Sequence, residues 1–254
     1  MFLYSRADRL QAVSSAVADA IARQAPWLSH KVAVIGYAIP DTYFRVRETS
    51  KREKTILFVG RIAREKGVEL LLKAFVSLVR RREPDVLDGW KLRIVGPHEV
   101  SQGGDGVKYL SELQTVARPL GLRCEFVGPV FDQDALMMEY QDASVFVYPS
   151  LAEKGESLGV APLEAMAAGC ATIVSDLRCF DDYIEHGVTG LKFDHRSGSP
   201  EDSLASQLSR LIAEAGLLER IATGGHGAAC KFRTPAIAAR MLDDFASLLA
   251  DHSH

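Results

Sequence analysis

Glu156 and Glu164 stand on either side of a Ser157-Leu-Gly159 turn, within the run Glu153-Lys-Gly-Glu-Ser-Leu-Gly-Val-Ala-Pro-Leu-Glu-Ala-Met-Ala-Ala-Gly169. The pattern predicts a helix opening near Val160, whose unpaired N–H groups and positive dipole end suit an anion. Gly159 has no Cβ and is expected to let a ligand approach the backbone, and Pro162 fits a first helical turn. Carboxylates are poor partners for a diphosphate but good acceptors for sugar hydroxyls. A pyrophosphate at the helix tip, flanked by two sugars, accounts for the whole pattern. Simpler readings stand beside it. A helix dipole favours Glu164 in an early turn without any ligand, and Glu156, next to Glu153 and Lys154, also reads as a solvated loop charge. The pair further suggests a glycosidase, although a carboxylate at a helix start is expected to have a lowered pKa, which suits a general acid badly.

A second constellation is Val59-Gly-Arg-Ile-Ala-Arg-Glu-Lys-Gly67, between a predicted strand and a helix from Val68. Loops at the carboxyl ends of parallel strands are where open α/β sheets bind ligands. From there Arg61 and Lys66 could neutralise a diphosphate as a sugar leaves. The alternative is an ordinary basic surface loop, and Arg64 and Glu65 are read that way. His98, in Val95-Gly-Pro-His98, ends a strand and has no second His at metal-ligand spacing. Neither G-x-G-x-x-G nor G-x-x-x-x-G-K-[ST] occurs, so nicotinamide and P-loop chemistry lose their main support.

The elements that must position these residues alternate. Short β-branched or aromatic runs at Thr55–Val59, Leu92–Val95, Glu125–Val127, Ser144–Tyr148, Ala171–Val174 and Gly190–Phe193 predict strands. Helical spacing covers Val68–Arg82, Tyr109–Leu120, Gln133–Gln141 and Pro162–Ala168, then Glu201–Ala215, Leu217–Phe232 and Thr234–Asp251. Such alternation implies a doubly wound, Rossmann-like α/β domain with a parallel sheet. Before it, Arg9–Ser15 and Lys31–Ile35 read as strands around a helix at Ala16–Gln24. Arg45–Lys54 (RVRETSKREK) lacks apolar periodicity and is expected to be a solvated linker. Gly103-Gly-Asp-Gly106 reads as a mobile loop tip. The expected division is residues 1–48 as the end of a first α/β domain plus linker, 49–233 as the ligand-binding domain, and 234–254 as a final helix. Some fifty residues are too few for a doubly wound domain, so the chain reads as truncated or as borrowing its missing half.

Of the 254 residues, 47% are hydrophobic and 25% charged, with a net charge of −3. No basic surplus exists for general nucleic-acid binding. Cys124, Cys170, Cys179 and Cys230 show no C-x-x-C spacing and read as thiols of a reducing compartment. No run approaches a membrane helix, and polar residues interrupt the N-terminus against a signal peptide, so a cytoplasmic protein is expected, with a peripheral place on the cytoplasmic membrane face left open.

Taken in order, Val59-Gly60-Arg61…Lys66-Gly67, Pro149-Ser150, Glu156-x-Leu158-Gly159…Glu164-Ala-Met-Ala-Ala-Gly169 and Thr189-Gly190-Leu191 resemble the retaining GT-B glycosyltransferases of family 4, which include bacterial mannosyl- and glucosyltransferases. The resemblance covers about residues 50 to 250 and implies a donor-binding domain for a nucleotide-diphospho-sugar, GDP-mannose or a UDP-hexose. By resemblance, Arg61 and Lys66 hold the diphosphate, with Gly60 beside them, and Glu156 accepts from the donor sugar. Glu164 accepts from the ribose, N–H groups of Leu158, Gly159 and Val160 meet phosphates and sugar, and Val130 lines the base pocket. No metal and no further cofactor are implied, since basic side chains and a helix dipole replace them. The acceptor would be a sugar or a lipid-linked sugar. Two departures stand out. Leu158 replaces the family's usual Phe, and the first domain, with most acceptor contacts, is nearly absent. Residues 34–40 stand where the family often has a P-N-G run. The helix Pro235–Ala250 would normally cross back onto that first domain, so its apolar face calls for a separate N-terminal acceptor domain or a dimer mate. The rival readings are a non-catalytic or partner-dependent nucleotide-sugar-binding module and a nucleotide-sugar epimerase. The glutamate spacing with Arg61 and Lys66 argues against the epimerase.

Overall fold

The computed structural model describes residues 4–48, 51–81 and 87–251. Six runs rich in β-branched and aromatic residues form one parallel sheet in the order β5-β4-β3-β6-β7-β8. They are β3 (Glu53–Val59), β4 (Lys91–Val95), β5 (Cys124–Gly128), β6 (Ala143–Tyr148), β7 (Ala171–Ser175) and β8 (Leu191–Phe193). Every residue of β6 and β7 is buried, as parallel strands covered on both faces require. Helices α2 (Val68–Arg80), α3 (Gly106–Ala117) and α6 (Pro200–Ala213) pack against one another; α4 (Gln133–Asp142), α5 (Val160–Ala167) and α7 (Leu217–Ala229) make a second layer. A doubly wound α/β fold with flanking helices is what the alternation predicted.

Local chemistry explains the element ends. In α2, Leu71, Leu72, Phe75 and Leu78 are buried at helical spacing and turn one face to the core. The expected end of this helix at Arg82 lies outside the described residues. The helix expected at Tyr109–Leu120 starts earlier and stops at Ala117, because Pro119 lacks an N–H and its ring crowds the preceding turn. A 3-10 segment follows. The helix expected to reach Phe232 likewise passes into a 3-10 turn after Ala229.

The first residues form a small βαβ unit: β1 (Leu10–Ala12) pairs in parallel with β2 (Val32–Val34) across α1 (Ser15–Gln24). The strand expected over Arg9–Ser15 is shorter because Ser14 leaves it to cap α1, its hydroxyl accepting from Val17 N–H. The last helix, α8 (Thr234–Asp251), returns to this unit. Arg9 pairs with Asp244 at 2.9 Å, and Arg240 donates to the Val34 carbonyl at 3.0 Å. Leu242, Phe245 and Leu249 face outward and are exposed.

The expectation of a solvated linker over Arg45–Lys54 is wrong in its second half; Thr49 and Ser50 lie outside the described residues. Glu53 and Lys54 already belong to β3, and Arg52 is only 8% exposed. Its guanidinium donates to the carbonyls of Tyr140 (3.3 Å), Ala143 (2.7 Å) and Ala168, and lies 3.7 Å from Cys170 Sγ. These carbonyls close the last turn of α4, open β6 and cap α5. Helix C-termini leave such groups unpaired and negative, and one cation satisfies several of them. Charge count without periodicity cannot distinguish this from a solvated run. All four cysteines are free thiols, and burial pushes Cys170 up to about 11. Replacing Arg52 by Met leaves its carbonyls unsatisfied and should cost about 2–4 kcal/mol, measurable by urea denaturation; a loss under about 1 kcal/mol would return Arg52 to the surface-charge reading.

Candidate functional site

The centre of the sheet is its switch point. From β3 the chain winds outward to β4 and β5, then returns to lay β6 on the other side of β3 and winds away through β7 and β8. The loops leaving the carboxyl ends of β3 and β6 therefore face each other across a crevice, where α/β folds bind ligands. These are the two loops singled out from sequence. Gly67 makes their approach possible. Its φ is +68°, and a Cβ there would lie 1.9 Å from the Pro149 carbonyl oxygen. Leu151 N–H donates to the Glu65 carbonyl at 2.7 Å and completes the join.

Lys66 and Glu156 meet directly, Nζ to Oε2 at 2.7 Å, each side chain only 9% exposed. The same oxygen accepts from Ser150 Oγ at 2.9 Å and from the Tyr148 hydroxyl at 3.3 Å. Burial, and then the Glu156 charge, push the Tyr148 hydroxyl above its ordinary range. Glu156 is thus no solvated loop charge. Arg61 stands apart, half exposed at the rim, donating to Glu65 Oε1 (2.7 Å) and the Gly103 carbonyl (2.9 Å). The run Gly103–Gly106, expected to be a loose tip, is tied to this loop. Asp105 N–H donates to the Ile62 carbonyl, Gly106 N–H to that of His98, and Asp105 Oδ2 accepts from Arg64 N–H. Gly60, at the end of β3, donates its N–H to Val95. His98 pairs with Glu99 at 3.1 Å.

Val160 opens α5 as expected and is 39% exposed, while Leu158 is fully buried. The structure shows a packing reason for Gly159. Its φ is +76°, and a Cβ would lie 2.5 Å from the Phe180 ring, on the core side. The glycine lets the turn pack inward, where the Tyr183 hydroxyl donates to the carbonyls of Leu158 (2.8 Å) and Gly159 (3.0 Å).

Glu164 sits in a second hydrogen-bonded set. It accepts from the Tyr140 hydroxyl at 2.9 Å, and the Tyr43 hydroxyl interacts with it electrostatically. Its pKa is raised, not lowered as expected from the helix dipole. Burial is the largest cause, and the two tyrosine hydroxyls act in the opposite direction. The dipole's influence fades beyond the first turn, and Glu164 lies past it. Val130, after Gly128 of β5, is half-buried against the core, with Phe131 exposed beside it. Among the described residues no group of three or more His, Cys, Asp or Glu side chains is placed to hold a metal ion. Tyr43, Tyr140, Tyr148 and Ser14 were missed from sequence. Tyr140 lies in a predicted helix, Tyr148 and Ser14 in predicted strands, and Tyr43 in none of the predicted elements. Ser14 is fully buried and its hydroxyl donates to the Ser157 carbonyl, in the turn before α5.

The family model described as glycosyl transferases group 1 matches residues 41–226, and the chain belongs to that family. It is similar to an uncharacterized glycosyltransferase of Methanocaldococcus jannaschii, 34% identical over 66% of this chain and 38% of the relative. It is also similar to the lipopolysaccharide 1,2-N-acetylglucosaminetransferase of Salmonella typhimurium, 30% identical over 68% of this chain and 45% of the relative. The chain thus spans less than half the length of these two relatives. Among solved structures, sucrose-phosphate synthase of Thermosynechococcus elongatus superposes with a TM-score of 0.77 at 24% identity, over 98% of this chain and 60% of that one. HepE of Anabaena, solved with UDP and glucose, gives 0.76 at 20% identity, over 95% and 63%. These likenesses identify the fold as that of GT-B Rossmann-like domains.

The raised pKa of Glu164 has a consequence for stability. Below the unfolded value, near 4.5, the acid is protonated in both states and costs nothing. As pH rises through the folded value, ionisation of the buried group removes stability. Glu164→Gln keeps an acceptor for Tyr140 and should therefore melt higher than the parent at about pH 7.5, the gap closing towards about pH 4. A variant that melts lower at the upper pH would contradict this.

Proposed function

We propose that this group 1 glycosyl transferase chain is the donor-binding half of a retaining, family 4 enzyme that takes a nucleotide-diphospho-sugar, GDP-mannose or a UDP-hexose, and transfers the hexosyl group to a sugar or lipid-linked acceptor. The observation that carries the proposal is the buried pair of Lys66 and Glu156 at the sheet's switch point, Glu156 lying on the loop that leads into α5. A cation for a diphosphate and an acceptor for sugar hydroxyls stand side by side there, as a sugar diphosphate needs. In this reading, residues 49–233 form the donor domain, 1–48 the end of a first domain, and 234–254 the helix that crosses back.

Lys66, with Arg61 swinging from the rim, stabilises the charge that builds on the diphosphate as the glycosidic bond breaks. No metal is needed for this step, since two cations and the α5 terminus supply the positive field. Glu156 orients the donor sugar through its hydroxyls, and Glu164 accepts from the ribose in exchange for a tyrosine. N–H groups of Leu158, Gly159 and Val160 meet phosphates and sugar, Gly60 leaves room beside the diphosphate, and Val130 borders the base. The departing diphosphate helps deprotonate the acceptor hydroxyl, so no side-chain nucleophile is assigned. Among the described residues no helix is long and apolar enough to cross a membrane, and the proposed place of action is the cytoplasm or the cytoplasmic membrane face. A partner-dependent binding module is the second reading. It predicts donor binding without transfer.

Isothermal calorimetry against UDP, GDP and their hexose conjugates tests the proposal, with weak binding of at least one expected. Arg61→Ala and Lys66→Ala should each weaken diphosphate binding by about 1–3 kcal/mol. No heat with any ligand at high protein concentration would sink the donor-site assignment.

A further inference from the structure

Resting on the nucleotide-sugar reading, we infer that Glu156 sets the site's preference for the sugar-bearing donor over the bare nucleoside diphosphate, by occupying Lys66 whenever no donor sugar is present. One carboxylate oxygen of Glu156 takes three donors, Lys66 Nζ, Ser150 Oγ and the Tyr148 hydroxyl. Among the described residues Lys66 Nζ makes no other polar side-chain bond, and it lies 5.3 Å over the Tyr148 ring. The site's most buried cation is therefore already neutralised. Arg61 is likewise engaged, by Glu65 and the Gly103 carbonyl, and reaches a diphosphate only on leaving them.

An arriving diphosphate must take Lys66 from Glu156 or share it. Taking it leaves a buried carboxylate without its cation, and losing one partner of a buried pair is costly. The two ligands differ in what they offer Glu156 in return. A sugar diphosphate brings hydroxyls that donate to the carboxylate and replace the lost bond. A bare diphosphate brings none, and its terminal phosphate carries more charge, which faces the carboxylate where screening is weak. Lys66 is thus released at low cost only when a sugar comes with the phosphates. After transfer the relation reverses. Glu156 loses its sugar hydroxyls, reclaims Lys66 and loosens the product, the step that limits turnover in many enzymes.

The test is calorimetry of UDP, GDP, UDP-glucose and GDP-mannose on the parent chain, Glu156→Gln and Glu156→Asp, with melting curves to confirm folding. Glu156→Gln should bind the bare diphosphate about tenfold more tightly and the sugar form more weakly. Glu156→Asp keeps the charge but shortens its reach, and should move both affinities the same way by less. A merely structural role would weaken both ligands together. If the parent binds a diphosphate and the variants bind it equally or more weakly, the inference is overturned while the nucleotide-sugar reading stands. If the parent binds none of the four, both fall. Should Glu156→Gln fail to fold, Glu156→Asp decides by the same criteria.

Discussion

The parallel pairing of β3 with β6 is the constraint on which the site depends. Ile56 lies opposite Val145 and Leu57 opposite Phe146, all buried. Parallel strands cannot be joined by a tight turn, so each leaves the same edge of the sheet in a loop of its own. That pairing brings residues ninety positions apart, Lys66 and Glu156, to one hydrogen-bonding distance. It works only because the loops come nearly into backbone contact at Gly67 and Pro149. A wider gap would leave a buried lysine and a buried glutamate each without a counter-charge, a far worse state than either exposed.

The helix that faces this crevice is fixed at both ends by polar groups. At its start, Gly159 packs beneath Phe180 while the Tyr183 hydroxyl holds the carbonyls of the turn. At its finish, Arg52 takes the Ala168 carbonyl. Between them Glu164 accepts from Tyr140 of α4, with Tyr43 from the segment before the sheet packed against that ring. So α5, only eight residues long, owes its placement to side chains drawn from distant parts of the chain rather than to its own helical preference.

Much of this was legible in the amino-acid order. Apolar runs bounded by Gly, Pro and Ser located every strand of the main sheet to within two residues, because burial on both faces leaves little choice of residue type. The Lys66 and Glu156 loops were legible from their types and their place after strands. The partner of each was not, since pairing depends on sheet order, and sheet order is not written in local periodicity. Arg52 was lost in a charged run for the same reason: its acceptors are helix ends ninety to more than a hundred residues away. The direction of the Glu164 shift was misread because the dipole is a local, visible feature, whereas burial is a property of the finished fold. Tyr148 and Tyr140 pack as core aromatics and also present a hydroxyl to a carboxylate, a double role that spacing alone does not disclose.

The segment before the sheet touches the turn before α5 and the segment after β7 through a few separate polar contacts. Ser14 donates to the Ser157 carbonyl, Ser15 N–H donates to Asp182, and Asp19 pairs with Arg178. The first of these ends on the turn that delivers the N–H groups of α5. A hydroxyl from the βαβ unit thus grips the backbone turn that opens α5. Any pivot of the βαβ unit pulls on that turn, and any ligand that reshapes the turn pushes back on the pivot by the same free energy. Under the donor-binding proposal, this joint would let a shift of the βαβ unit and occupancy at α5 bias each other.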